Sequence, residues 1–334
     1  MILVTGAAGY IGSHTAMALL QKGEEIVTID NLSTGHIETI EKLKDFSDKF
    51  HFYRGDLTNA EDVELLFRQY KIDSVVHFAA FSIVSESVKE PHLYYRNNVF
   101  GSLNLFNTMI KNNVKKVVFS STCAVYGEPV EIPISENHPK NPVNPYGNSK
   151  LVVEKILEDY DVAFGLKSIK LRYFNVAGAH SSALIGEWHD NETHLIPNIL
   201  KSAIGKSEVF NIYGSDYDTN DGTCVRDYVN VEDLANAHVL ALSYLEQNNS
   251  SEVFNIGTGN GCSVKEVFDT ASGLVGREIC FVIKPRRDGD PATLFADNSK
   301  AKKLLKWFPE KTLHDSISSA YAWEKVLQGS LSRL

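Results

Sequence analysis

Thr5-Gly6-Ala7-Ala8-Gly9-Tyr10-Ile11-Gly12 follows the short apolar run Ile2-Leu3-Val4 and leads into a helical pattern. A run that short reads as a buried central strand. The glycines of the turn after it have separate jobs. Gly6 permits the tight bend, Gly9 lets backbone approach a pyrophosphate, and Gly12 lets the new helix pack close to the sheet. The helix start then offers unpaired amides and the positive end of its dipole to phosphate oxygens. The same spacing also occurs in turns that hold no ligand, so the residues downstream decide the reading.

Residues 25–29 (EIVTI) read as a second strand, and Asp30 ends it. A carboxylate there accepts hydrogen bonds from an adenosine ribose and repels a 2′-phosphate, which favours NAD over NADP. Further candidate strands at 50–54, 74–78, 116–121 and 168–171 alternate with segments of helical period such as 60–70. This alternation predicts a Rossmann-type α/β fold, a doubly wound parallel sheet covered by helices on both faces. Ligands of such sheets bind beyond the carboxyl ends of the strands. Asp56 and Leu57 follow the third strand, and the Asp56 carboxylate suits an adenine amino group. Phe78, Ala79 and Ala80 follow the fourth, small enough for backbone to lie against a cofactor. Ser120, Ser121 and Thr122 close the fifth. Residues 251–257 (SEVFNIG) read as a strand returning to the main sheet. The expected organisation is a NAD-binding domain over 1–175, with returning segments near 226–257, and a smaller α/β substrate lobe over 176–334.

Composition narrows the function. The 334 residues are 43% hydrophobic and 22% charged, enough for a large core and a second lobe. A formal net charge of −9 offers no basic surface to nucleic acid, although a local basic pocket for a diphosphate remains compatible with it. Cys123, Cys224, Cys262 and Cys280 form no C-x-x-C pair, so neither a zinc site nor a disulfide framework is expected. Met1 leads directly into a core strand, and no apolar run approaches the roughly 20 residues of a membrane span. The expectation is a soluble, cytoplasmic protein with neither nucleic-acid nor membrane partners and no metal.

Tyr146-Gly147-Asn148-Ser149-Lys150 follows a loop containing Pro139, Pro142 and Pro145, and residues 151–157 are strongly helical. Side chains four apart on a helix share a face, so Tyr146 and Lys150 can reach one ligand. An ammonium near a phenol, with a nicotinamide cation close by, is expected to lower the tyrosine pKa from about 10 and make it a general base. The Thr122 hydroxyl is placed to bridge a substrate oxygen and that phenol.

With these residues in place, the chain resembles the extended short-chain dehydrogenase/reductases, and among them the bacterial UDP-glucose 4-epimerases. The matching stretches are TGAAGYIGSH (5–14), DNLSTGH (30–36), HFAAFSIVSESV (77–88), NNVFGSLNL (97–105), VFSSTCAVYG (118–127), NPYGNSK (144–150), LRYFNVAGA (171–179), DGTCVRDYVNVEDLA (221–235) and PRRDGDPA (285–292), in family order over nearly the whole length. The resemblance implies that Gly6, Gly9 and Gly12, with the amides of Tyr10 and Ile11, take the pyrophosphate of NAD. It gives Asp30 and Asn31 to the adenosine ribose, Asp56 and Leu57 to the adenine, Asn97 to a further NAD contact, and Tyr173 a place beside the nicotinamide. Thr122, Tyr146 and Lys150 form the implied catalytic set. Asn175, His194, Leu195, Asn211, Tyr213, Arg226, Arg287 and Asp290 are implied to contact the UDP portion of UDP-glucose or UDP-galactose. Tyr213 has a face suited to uracil, and Arg226 and Arg287 carry cations suited to a diphosphate.

The resemblance implies C4 oxidation to a 4-keto sugar, rotation, and reduction from the other face. A homodimer is implied too, pairing a helix over 91–113 with the helix after Tyr146. The chain departs from some family members at Ser82, where they have lysine, and at His194, where they have asparagine; Leu294 is bulky where the hexose pocket is gated, which disfavours a 2-acetamido group. A 4,6-dehydratase or decarboxylase on this scaffold needs acids where Cys123 and Ala124 stand. A nucleotide sensor without catalysis would have no use for Tyr146 and Lys150.

Overall fold

The computed structural model describes residues 1–205, 209–277, 279–287 and 290–331. Its central sheet is built from β1 (Ile2–Thr5), β2 (Ile26–Asp30), β3 (Phe50–Arg54), β4 (Ser74–His77), β5 (Lys116–Thr122), β6 (Lys167–Tyr173) and β7 (Glu252–Ile256). All seven strands run parallel in the order β7-β6-β5-β4-β1-β2-β3. From β1 the chain winds outward to β3, then crosses back to lay β4 on the other side of β1. That reversal opens a crevice at the carboxyl ends of β1 and β4, where this class of sheet binds ligands. Register keeps the ends level: Thr5 sits opposite Ile29 and His77, and Thr122 opposite Tyr173.

Alternation along the strands divides the core. Val4, Ile26, Val76 and Val118 face one side, under the helices Tyr10–Gln21 and Val231–Asn248. Leu3, Val27, Val75, Val117 and Phe119 face the other, under Ala60–Gln69, Gly101–Lys111 and Pro145–Phe164. Both faces of the central strands β1, β4 and β5 are covered, which is why these segments read as apolar runs, whereas the edge strand β3 is only partly buried.

The glycine turn is as tight as its spacing suggests. Gly6 has φ +76°, and a Cβ there would lie 2.9 Å from the amide nitrogen of Ala79. A Cβ on Gly12 would sit 2.3 Å from the carbonyl oxygen of Gly6, against backbone that cannot move aside. Gly12→Ala is therefore expected to destabilise the fold by about 3 kcal/mol, the upper end of overpacking costs. Thermal unfolding checks this; an unchanged midpoint would contradict it.

A separate hydrophobic core, which includes Ile199, Phe210, Phe268 and Ile317, gathers the helices Leu195–Ala203, Val264–Val275 and Leu313–Leu331. Two differences from the sequence expectations bear on the site. The region expected as one helix over 91–113 runs as Pro91–Tyr94, a π-helical turn Tyr95–Phe100, and Gly101–Lys111. The helix carrying Tyr146 spans Pro145–Phe164, well beyond 151–157. Among the described residues no helix is long and apolar enough to cross a membrane.

Candidate active site

The helix Tyr10–Gln21 begins at Gly9 with no side chain capping its first-turn amides, leaving that end free to receive an anion. Thr5 at the end of β1 ties the two walls of the crevice together. Its hydroxyl accepts from the amides of Phe78 and Ala79, each at 3.1 Å, and meets His77 Nδ1 at 2.8 Å. Asp30 lies at the end of β2, accepting from the amides of Ala8 at 3.0 Å and Leu32 at 2.9 Å. Burial raises its pKa, and those two amides oppose the shift. Asn31 donates to Asp56 at 2.9 Å, so the residues expected at ribose and adenine meet across β2 and β3. Burial pushes Asp56 up, but hydrogen bonds from Asn31 and Thr58 outweigh it and leave the carboxyl below its ordinary range.

Tyr146 and Lys150 lie on the first turns of Pro145–Phe164. Asn144 caps this helix by accepting from the Gly147 amide at 2.8 Å, and Pro145 occupies its first turn. Gly147 lets the helix press against the turn after β5, for a Cβ there would lie 2.6 Å from the Ala124 carbonyl. Tyr146 is buried, with its phenol beside the Thr122 side chain and its ring edge-on to Tyr94 at 6.5 Å. The Lys150 ammonium donates to the Ser120 carbonyl at 2.8 Å and lies 5.0 Å from the Phe119 ring centroid. Ser120 Oγ and Tyr173 Oη are 2.5 Å apart. Thr122, Tyr146, Lys150, Ser120 and Tyr173 thus converge at the carboxyl ends of β5 and β6.

Ionisation in this group differs from the sequence expectation. Burial pushes the Tyr146 phenol far above its usual value, Tyr173 adds to the shift, and the Thr122 hydrogen bond only partly counters it. Burial also pulls Lys150 down to about 7, with Glu154 acting against that change. The chain's own groups therefore hold the phenol protonated, because desolvation outweighs the opposing Thr122 hydrogen bond.

The residues expected to contact UDP are dispersed among loops and short strands. Arg226 is buried, donates to the carbonyls of Val225 and Pro291 at 2.9 and 2.8 Å, and lies 3.5 Å from Asp290. The Arg287 guanidinium lies 4.1 Å from the Tyr213 ring centroid, taking one place the sequence reading gave to uracil. Asn211 and Tyr213 share the strand Phe210–Tyr213, and Asn175 is exposed at the start of Asn175–Ala177. His194 immediately precedes the helix Leu195–Ala203, with Leu195 its first residue. Leu294 packs with Val125, Tyr126, Leu151 and Phe174.

Sequence reasoning missed the residues that hold this site in place. Asn98, in the π-helical turn beside Asn97, accepts from the Phe81 amide at 2.8 Å and donates to the Phe81 carbonyl at 3.0 Å and to Ser149 Oγ at 3.1 Å. It joins the loop after β4 to the helix of Tyr146; nothing but the paired asparagines hints at this. Asp227 accepts from the Thr258, Gly259 and Ala296 amides at 2.7, 3.1 and 3.1 Å, fixing the neighbourhood of Arg226.

Comparison with known proteins gives this geometry a family. A family model described as GDP-mannose 4,6 dehydratase matches residues 3–320. The UDP-glucose 4-epimerase of Lactobacillus helveticus is 49% identical over 325 residues, 97% of each chain. A solved UDP-glucose 4-epimerase from Stenotrophomonas maltophila, with bound NAD and formylated UDP-arabinopyranose, is 39% identical and superposes with a TM-score of 0.95 over 98% of this chain and 99% of that one. The Bifidobacterium longum UDP-glucose 4-epimerase, in complex with NAD+ and UDP, is 42% identical with a TM-score of 0.93 over 97% and 98% of the two chains. With a glycine-turn Rossmann sheet, a convergent Thr122-Tyr146-Lys150 group and full-length relatives of one kind, the chain belongs to the UDP-glucose 4-epimerase family of short-chain dehydrogenase/reductases.

Proposed function

We propose that this chain interconverts UDP-glucose and UDP-galactose by oxidising C4 of the hexose and reducing it again from the opposite face. The observation that carries this reading is the convergence of Tyr146, Thr122 and Lys150 at the end of β5, two strands from the glycine turn. The turn, the uncapped helix start and Asp30 fit a dinucleotide. NAD, when bound, would supply a cation to the site and both the acceptor and the donor of hydride for C4.

Gly6, Gly9 and Gly12, with the Tyr10 and Ile11 amides, hold the pyrophosphate. Asp30 and Asn31 hold the ribose, and Asp56 and Leu57 the adenine. Phe78, Ala79, Ala80, Asn97, Ser120, Lys150 and Tyr173 line the rest of the dinucleotide. Tyr146, ionised once a second cation offsets its burial, takes the C4 hydroxyl proton through Thr122 and later returns it. Asn175, His194, Leu195, Asn211, Tyr213, Arg226, Arg287 and Asp290 anchor UDP. Anchoring the nucleotide while leaving the hexose loosely held lets the 4-keto sugar present its other face.

Dehydration is a poorer fit to the turn after β5. Burial pushes the Cys123 thiol up to about 12, and Ala124 carries no acid. Leu294 narrows the hexose site and favours unsubstituted sugars over N-acetylated ones. We divide the chain into a cofactor domain over 1–175, with returning segments near 226–257, and a UDP-sugar lobe over 176–334. We place the protein in the cytoplasm as a homodimer; Pro91–Lys111 and Pro145–Phe164, which pack side by side, expose Leu93, Phe100 and Val152 for a second copy.

Purified chain given UDP-galactose without added NAD is expected to form UDP-glucose, and to act far more slowly on UDP-N-acetylgalactosamine. Conversion of neither substrate would overturn the reading. Equal rates would replace it with the N-acetyl-tolerant alternative.

A further inference from the structure

The loop that enters the helix Leu195–Ala203 brings together two imidazoles and two carboxylates. His194 Nδ1 lies 2.8 Å from Glu187 Oε1 and 2.9 Å from Glu192 Oε1. His189 Nδ1 lies 3.5 Å from the same Glu187 oxygen and 3.4 Å from Glu192 Oε2. One ligand atom from each of the four residues falls within 4.8 Å of all the others. Bonds of about 2.0–2.2 Å to a tetrahedral ion give ligand-to-ligand edges of about 3.3–3.6 Å. The two His189 contacts have about that length, whereas the His194 contacts, one of them to the other Glu192 oxygen, must open by about half an ångström.

Charge and burial point the same way. The Glu187 and Glu192 side chains are only 7% and 4% exposed. Carboxylates so withdrawn from water need positive charge beside them; His194, held protonated by Glu187 and Glu192, supplies it in this structure, and a divalent ion would take the place of that proton. The loop is also held rigidly by contacts outside the cluster. Trp188 stacks on His36 with ring centroids 3.7 Å apart, Trp323 Nε1 donates to the Glu187 carbonyl at 2.8 Å, and Asn198 donates to the His194 carbonyl at 2.9 Å. Gly186 lies directly beneath the Trp323 ring, where a Cβ would meet ring carbon at 2.3 Å. These contacts pin the loop to the first lobe through His36 and to the C-terminal helix through Trp323.

We propose that Glu187, His189, Glu192 and His194 form a binding site for one divalent transition-metal ion of the zinc class, which clamps this loop between the lobes. The sequence reading expected no metal, because the cysteines form no C-x-x-C pair; the fold of the loop is what brings these four residues together. The site adjoins the proposed UDP anchors, since His194 is one of them and Leu195 follows it, but its ligands act on the loop and not on the sugar carbon.

The test uses full-length protein stripped by a chelator and titrated with Co²⁺, followed by competition with Zn²⁺. One equivalent of Co²⁺ is expected to bind with a tetrahedral ligand-field spectrum lacking thiolate charge-transfer bands, and the bound ion is expected to raise the thermal midpoint. His189→Asn and Glu192→Gln are each expected to weaken binding more than about a hundredfold, the loss that even outer-shell changes can cause. Cys280→Ser, which alters an exposed thiol, is expected to leave binding unchanged. Absence of stoichiometric binding to the wild-type chain would overturn the proposal and leave the cluster as histidine–glutamate ion pairs. Binding that survives both His189→Asn and Glu192→Gln, or fails in Cys280→Ser, would overturn it equally. The wild-type stoichiometry and spectrum decide the matter even if a variant fails to fold.

Discussion

Tyr146→Phe is expected to lower kcat about a thousandfold, within the range that a positioned acid–base group supplies. The phenol lies with Thr122 at the end of β5, and it is the group we propose takes and returns the C4 hydroxyl proton. KM is expected to change little, since the nucleotide anchors lie elsewhere. The ring itself stays, edge-on to Tyr94, so folding should suffer by no more than about 1 kcal/mol, the usual worth of one hydrogen bond. Steady-state kinetics on UDP-galactose with a parallel melting curve separates these effects. A variant that keeps a tenth of its activity would remove Tyr146 from the chemistry.

The second large effect concerns stability beneath that site. Arg172 and Glu154 are each 1% exposed and form a two-pronged ion pair, with Arg172 Nε 2.9 Å from Glu154 Oε1. Ser121 donates to the same carboxylate at 2.5 Å, and Arg172 donates to Tyr126 Oη at 3.0 Å. Tyr126 in turn donates to Asn255 at 2.6 Å, so the network links β5, β6, β7 and the helix Pro145–Phe164. Removing one charge leaves the other buried without a partner. Glu154→Gln is therefore expected to cost about 3–5 kcal/mol. The double substitution Arg172→Met with Glu154→Leu is expected to cost less than the two single changes summed, because it removes both charges together. Chemical denaturation of the set measures this; strict additivity would show that the pair is not coupled. Glu154 also opposes the burial that pulls Lys150 down to about 7, so Glu154→Gln should leave less of the ammonium form at neutral pH and reduce activity in the folded fraction.

What could be read in advance follows from how directly a residue type states its own geometry. Gly6 and Gly12 announce themselves because any side chain there would strike backbone, and the spacing that avoids this is visible in the chain. Tyr146 and Lys150 are legible because helical periodicity alone puts them on one face. Alternating apolar runs revealed the sheet, although β6 extends to Tyr173 and β5 to Thr122, since strand ends are set by neighbours in the sheet.

Other features depend on partners far away in sequence. Glu154 and Arg172 are ordinary charges until the fold buries both, and Asn98 is an ordinary asparagine until the loop at Phe81 meets Ser149. The ionisation of Tyr146 shows a different limit. Residue spacing revealed the nearby ammonium but not the depth of burial, and burial decides the direction of the shift. His189 and Glu192 remained unread because an irregular loop, with no period to follow, folds their side chains together.

The central claim is that hydrogen leaves C4 as hydride and returns to the same carbon without exchanging with water. Purified chain incubated with UDP-galactose deuterated at C4, in ordinary water, tests it most directly through the isotope content of the UDP-glucose formed. The account predicts product that keeps its deuterium at C4. Product carrying solvent hydrogen there would mean that the carbon was deprotonated and reprotonated, which contradicts the account.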